Sequence, residues 1–172
     1  MAISDQKKCR CVWANIDHLM ADYHDNEWGE QIHEDDVFFE RLTLEIFQAG
    51  LNWRMILHKR VALNRAFHNF SIPMVSKFGT QQVEQLLSDS SIIRNRRKIE
   101  ATVKNAQAFT TIQRTYGSFQ GFLEVQNDNM PQIFKEIGDR FYFTGPKVTE
   151  WFLMSVGKIR PPHDANCWKA TS

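Results

Sequence analysis

Asp36-Val37-Phe38-Phe39-Glu40-Arg41-Leu42-Thr43-Leu44-Glu45-Ile46-Phe47-Gln48-Ala49-Gly50 is the stretch from which the fold is read. Phe38, Leu42, Glu45 and Ala49 recur at i, i+4, i+7 and i+11, with Phe39 and Ile46 beside them. This is the stripe of an amphipathic helix from Asp36 to Ala49, and Gly50 stops it. Downstream, Asn52 caps a short helix to Arg60, and another follows through Phe67. Ser71, with Pro73 in the first turn, opens the next, which Gly79 ends. Thr80 to Leu87 forms a further helix, and Ile99, Val103, Ala106 and Thr110 stripe a longer one. Gly117 and Gly121 bracket a break. Pro131 to Ile137 is a short helix, and Val148, Trp151, Phe152 and Val156 stripe the last, opened by Gly145 and Pro146. Sustained β alternation, repeats and long linkers are absent. The expectation is an all-α single domain over residues 1–172 with roughly seven to nine helices.

Composition agrees. The chain has 172 residues, 42% apolar and 24% charged, enough material for a real core. No run approaches the ~18 consecutive apolar residues of a membrane span, and Met1 to Arg10 is polar where a secretory signal is apolar. A cytoplasmic address and no membrane partner are expected. The formal charge of +1 excludes a global basic field, so any nucleic-acid contact comes from a local patch.

Three cysteines, Cys9, Cys11 and Cys167, are a poor disulfide framework. Cys11 and His24 near the start, with His163-x3-Cys167 near the end, make a Cys2His2 set of the kind a structural zinc takes. Cys9 fits the spacing as well as Cys11 does, and chance scatter of six histidines and three cysteines is the competing reading. A real site would close a loop of about 140 residues and remove several kcal/mol of unfolded-state entropy. Four protein ligands leave no open position for hydrolysis.

Glu45 stands where the stripe calls for a hydrophobe, and a carboxylate there costs several kcal/mol unless it is paired or faces a pocket. Leaning to the edge of the stripe or pairing with an arginine explains it equally well. Around it, Gln48 sits one turn on, Trp53 follows after the Gly50 break, and Tyr23 and Trp28 flank His24. Aromatics plus one acid suit a flat, cationic or hydrogen-bond-donating ligand, although aromatic residues are more often core.

Phe141-Tyr142-Phe143-Thr144-Gly145-Pro146-Lys147 precedes a helix, so its free N–H groups and the helix N-terminus suit a phosphate; a plain Gly-Pro turn is the alternative. Arg94, Arg96, Arg97, Lys98 and Lys104 against Glu100 form the one dense basic segment, which is either a solvated helix face or an electrostatic footprint.

Taken in order, Arg10-Cys11-Val12-Trp13, Tyr23-His24-Asp25-Asn26-Glu27-Trp28-Gly29, Leu44-Glu45 with Phe47-Gln48-Ala49-Gly50-Leu51-Asn52-Trp53, Ile92-Ile93-Arg94-Asn95-Arg96 with Lys98-Ile99, and His163-x3-Cys167 resemble the DNA-3-methyladenine glycosylase I family. The match runs from about Cys11 to Cys167. The resemblance implies a helix-hairpin-helix glycosylase fold whose termini are clasped by zinc on Cys11, His24, His163 and Cys167, which settles Cys11 over Cys9. It implies excision of 3-methyladenine from alkylated double-stranded DNA. The base pocket carries onto Tyr23, Trp28, Glu45 and Trp53, with Glu45 the catalytic candidate. DNA contacts carry onto Thr144, Gly145 and Lys147, and Arg94 and Arg96 of the basic segment are added to them.

Three departures stand out: Ser91 where the family commonly has Gly, Asn52 where it has Ser, and Met20 where some members have an aromatic. They bear on turn geometry and pocket shape. No lysine is read on the pocket segments, so a monofunctional glycosylase leaving an abasic site is expected, as a monomer. The alternative is a zinc-clasped module that binds damaged DNA or purines without catalysis.

Overall fold

Why the Asp36 segment governs the fold is seen in how completely it is enclosed. A computed structural model describes residues 8–170; Met1 to Lys7 of the polar N-terminal run, and Thr171 and Ser172, lie outside the described residues. The central helix α2 runs Asp35–Gln48, preceded by α1 (His18–Asn26) and followed by α3 (Trp53–Ala66). Then come α4 (Ile72–Val75), α5 (Thr80–Ser88), α6 (Arg96–Tyr116), α7 (Phe119–Glu124), α8 (Met130–Arg140) and α9 (Pro146–Ser155). Short 3-10 turns at Val12–Asn15 and His68–Phe70 complete the described helical elements. Among the described residues there is no strand, and the molecule is one all-helical domain.

α2 packs against α3, α4, α6, α7 and α9. Every residue from Arg41 to Phe47 is therefore buried, so this helix is enclosed on all sides and the single stripe understates it. Its ends are held as firmly. Asp35 Oδ1 accepts from the Phe119 amide at 2.9 Å, and Asp36 Oδ1 from the Ile72 amide at 3.0 Å, both acids lying in the first turn where the helix dipole favours them. At the other end the buried ammonium of Lys98 donates to the carbonyls of Phe47 at 2.8 Å and Ala49 at 2.6 Å, closing orphan acceptors with a cation. A phenylalanine core including Phe39, Phe67, Phe109, Phe119 and Phe152 fills the space around α2.

Three local readings are corrected. The segments before and after Arg60 are one helix, α3, which the Asn52 side chain caps by accepting from the Met55 amide at 2.8 Å. Gly121 lies inside α7 rather than beside a break, and a Cβ there would sit 2.6 Å from the Tyr116 carbonyl oxygen, so close packing explains it. α1 has no counterpart in the sequence reading. Gly117, at φ +83°, does end α6.

Candidate active site and metal centre

α1, α2, α3 and α9 converge on a cleft of about 470 Å³ lined by Tyr23, Trp28, Glu45 and Trp53, together with Trp13, Met20, Gln48, Trp151 and Met154. All four residues expected in the pocket meet there. Tyr23 and Met20 come from the inner face of α1, where they pack with Leu57 of α3. The Tyr23 and Trp53 rings lie 4.8 Å apart at 55°, and Trp13 and Trp28 meet edge to face at 5.0 Å. The Trp53 indole Nε1 is buried and has no hydrogen-bond partner, leaving a donor in the cleft wall.

Glu45 is 5% exposed and accepts no hydrogen bond among the described residues. Burial pushes its carboxyl up to about 8, and the positive charge of Arg41, one turn earlier on α2, pulls the other way. Burial, and then the charge of Glu45, keep the Tyr23 phenol protonated. The cleft thus presents one acid and π faces, with the Tyr23 phenol kept neutral.

Lys147 of α9 lines the same cleft, which corrects the expectation that no lysine lies on the pocket segments. Its side chain is 69% exposed, and Nζ pairs with Glu150 at 2.7 Å. The 141–145 connection between α8 and α9 docks on α6, where Asn105 Oδ1 accepts from the Tyr142 amide at 2.7 Å and Asn105 Nδ2 donates to the Tyr142 carbonyl at 3.1 Å. Phe143 there adopts φ +65°. The Thr144 hydroxyl donates inward to the Phe141 carbonyl at 2.9 Å and its carbonyl accepts from the Thr149 hydroxyl at 3.3 Å, so this buried residue ties the connection to α9. Gly145 is exposed, with nothing within 4 Å of where a Cβ would stand. Arg94 is exposed, whereas the Arg96 guanidinium is engaged by Glu84 at 2.8 Å and Glu100 at 3.6 Å.

The family departures are accommodated. Ser91 is not among the residues with positive φ, and its amide and hydroxyl both donate to Asp89 Oδ1, so this turn needs no glycine. Met20, 3% exposed, fills part of the cleft wall.

Cys11, His24, His163 and Cys167 place one ligand atom each within 4.8 Å of one another, a set that can hold a metal ion; Cys9 is exposed and outside it. Cys167 Sγ lies 3.3 Å from His24 Nε2 and 3.7 Å from His163 Nδ1, and Cys11 Sγ lies 3.5 Å from His163 Nδ1. A tetrahedral ion with metal–sulfur and metal–nitrogen bonds of about 2.3 and 2.0 Å requires sulfur–nitrogen edges of about 3.5 Å, so the donor set fits. His24 Nδ1 meets Asp25 Oδ1 at 2.9 Å, which leaves Nε2 as the ligand nitrogen. The backbone amides of Asp164 and Lys169 donate to the Cys11 and Cys167 sulfurs. Burial, with the nearby charge of Lys169, holds His163 below its usual value and so neutral, the ligating form. The centre also touches the cleft: the His163 ring lies 4.9 Å from Trp28, and the His24 ring 5.4 Å from Trp13.

Sequence reasoning missed Trp151, Met154 and Glu150 in the cleft, because the α9 stripe reads as core and only the packing of α9 on α2 turns that face to the opening. It also missed the burial of Arg41.

The methyladenine glycosylase family model matches residues 13–140. A DNA-3-methyladenine glycosylase of Haemophilus influenzae is 36% identical over 114 residues, 66% of this chain and 62% of that protein. DNA-3-methyladenine glycosylase 1 of Escherichia coli is 37% identical over 124 residues, 72% of this chain and 66% of that one, so the matches span just under two thirds of these relatives. The solved structure of a tyrosine-to-phenylalanine variant of a 3-methyladenine DNA glycosylase I, in complex with 3-methyladenine, superposes with a TM-score of 0.83 at 28% identity, covering 92% of this chain and 96% of that one. With the family model matching most of its length, and with an aromatic cleft around one buried acid, the chain belongs to the methyladenine glycosylase family.

Proposed function

We propose that this protein is a monofunctional DNA glycosylase that takes 3-methyladenine out of alkylated duplex DNA and hydrolyses its glycosidic bond. The observation that carries the reading is Glu45, a buried carboxyl without a hydrogen-bond partner that faces an aromatic cleft. Methylation at N3 places a positive charge on adenine, so the bond to the sugar is already weak and the base departs neutral. Little acid catalysis is needed; access and selectivity are what the protein supplies. Tyr23, Trp28 and Trp53 offer π faces to the cation. Glu45 accepts a hydrogen bond from the exocyclic amine and opposes the charge. Ordinary adenine, neutral and lacking the methyl group, draws little from either. For both reasons Glu45 is the catalytic residue of this proposal.

On the DNA side, the 141–145 connection and the first turn of α9 offer the backbone around Thr144 and Gly145 to phosphate, as in a helix-hairpin-helix motif. Lys147 and Arg94 supply charge beside it, while Arg96 contributes less because its guanidinium is already paired. Lys147, an exposed ammonium paired with Glu150, is a poor Schiff-base nucleophile, which supports base removal without strand cleavage. The metal centre is structural zinc on Cys11, His24, His163 and Cys167; its four protein ligands clasp the chain ends and set the Trp13 and Trp28 wall. The protein acts as a monomer. Among the described residues no helix is long and apolar enough to cross a membrane.

The test is chromatography of bases freed from methylated duplex DNA by wild type and by Glu45→Gln. Release of 3-methyladenine by the wild type and its loss in the variant are expected. No release by folded, zinc-loaded wild type would leave a non-catalytic binding module, and strand cleavage without heat or alkali would overturn the monofunctional reading.

A further inference from the structure

Arg41 is 5% exposed in the middle of α2. Its Nη2 pairs with Glu27 Oε2 at 2.5 Å, but Nε and Nη1 are buried with no partner. Glu27 is shared: Arg60 Nη1 donates to both its oxygens, at 2.8 and 3.0 Å, while Arg60 also binds Glu40. Glu27 and Glu40 balance the two guanidiniums in number, but Arg41 reaches Glu27 through Nη2 alone, and a buried cation with idle donors is costly unless something nearby uses its field. The guanidinium carbon lies 5.5 Å from the centroid of the Tyr23 ring, a wall of the cleft. One turn along α2 is Glu45, equally buried and without a hydrogen-bond partner.

We infer that Arg41 is a positioning residue for the cleft: the buried counter-charge that lets Glu45 give up its proton when a cation enters, so that the pocket takes cationic purines in preference to neutral ones. The inference rests on the reading of the cleft as a base pocket. Within a low-dielectric wall the field of Arg41 reaches Glu45 without a contact, and Arg41 is the group whose charge opposes the burial of that carboxyl. Other charges around Glu45 are committed elsewhere. Tyr23 of α1 stays neutral, and Glu27, Glu40 and Arg60 neutralise one another in part. Lys98 of α6 is spent on the Phe47 and Ala49 carbonyls, and Lys147 and Glu150 pair with each other along α9.

A consequence follows for binding. Below about pH 8, where Glu45 is largely protonated, uptake of a cation releases its proton, so affinity rises with pH by at most about tenfold per unit and then levels off. A neutral purine shows no such rise.

The test reads the Glu45 carboxyl directly, by carbon-13 NMR titration of glutamate-labelled protein with Glu45→Gln as the assignment control. Arg41→Met is expected to raise the Glu45 midpoint by at least one pH unit, Arg41→Lys to keep it near wild type, and Glu27→Gln to lower it. A merely structural role for the cluster does not move the two charge removals in opposite directions. In parallel, tryptophan fluorescence follows binding of an adeninium ion alkylated on both N3 and N9, which is cationic at neutral pH, and of neutral adenine. At pH 7, Arg41→Met is expected to bind the cation about tenfold more weakly with adenine unaffected.

An unmoved Glu45 midpoint in folded Arg41→Met overturns the inference, as does an equal loss of cation binding in Arg41→Met and Arg41→Lys. If Arg41→Met does not fold, Glu27→Gln decides: a midpoint that rises or stays overturns it. A wild type that binds no cation at any pH refutes the pocket reading and the selectivity with it. Wild-type binding alongside an unmoved midpoint refutes the role of Arg41 alone.

Discussion

Replacing Glu45 by glutamine should stabilise this protein, increasingly as pH rises from about 4.5 to about 8. The carboxyl is pushed from an ordinary 4.5 to about 8 by burial, so the folded state favours its neutral form. For such a group the contribution to stability is complete below the unfolded value and is lost as pH rises through the folded one. At about 1.4 kcal/mol per pH unit, the interval from 4.5 to about 8 sets a ceiling of about 5 kcal/mol. Water entering the cleft solvates the carboxylate in part, which brings the expected penalty to about 2–4 kcal/mol. Glutamine keeps the shape and never ionises. Wild type and Glu45→Gln should therefore melt within about 0.5 kcal/mol of each other at pH 4.5. The variant should lead by about 2–4 kcal/mol at pH 9, which for a chain of this length is about 4–16 °C in Tm. Paired thermal melts at the two pH values measure this, and the shared metal centre cancels in the difference. A gap that is the same at both pH values, or a wild type that gains on the variant as pH rises, would refute the reasoning.

Cys167→Ser should lose bound metal and about 2–5 kcal/mol of stability, by comparison with other long-loop cross-links; unchanged metal content and melting would count against the clasp. Asp25→Asn, which removes the carboxylate on His24 Nδ1, should weaken metal binding about 10–100-fold in competition with a chelator, and equal affinity would show that the contact does not orient the ligand. Lys98→Met strips the end of α2 of two charged hydrogen bonds and should cost about 3 kcal/mol in urea unfolding; a cost under about 1 kcal/mol would mean that water takes over these carbonyls. Lys147→Glu should weaken duplex binding and flatten its salt dependence more than Arg96→Glu, whose charge is already engaged; the reverse order in a fluorescence anisotropy titration would place the DNA on the other side of α6.

The cleft sets one buried acid, Glu45, among the aromatic faces of Trp13, Tyr23, Trp28, Trp53 and Trp151. Glu45 stands on the most enclosed helix of the molecule, held at its start by contacts to α4 and α7 and at its end by Lys98. A side chain carried there has little freedom to turn toward water, so an acid at position 45 remains aimed at whatever enters. That is the sense in which the core serves selectivity as well as stability.

Local periodicity determined most of the helices, because amphipathic spacing, Asn and Ser caps, and Gly and Pro stops act within one element. The metal quartet was legible in outline from Cys and His spacing, and resemblance narrowed it to Cys11 and gathered Tyr23, Trp28, Glu45 and Trp53, residues that fall on three separate segments. Tertiary structure alone decided the rest. The sevenfold run of burial from Arg41 to Phe47 comes from five neighbouring helices, which no stripe on one helix reports. The same packing strands the Arg41 guanidinium beside Glu45, brings Lys147, Trp151 and Met154 of α9 to the cleft, and leaves Arg96 tied to Glu84 on α5. Spacing along a chain predicts which side of a helix is apolar. Which charge ends up facing which, and how much water lies between them, depends on surfaces distant in sequence, and here that sets the electrostatics of the site.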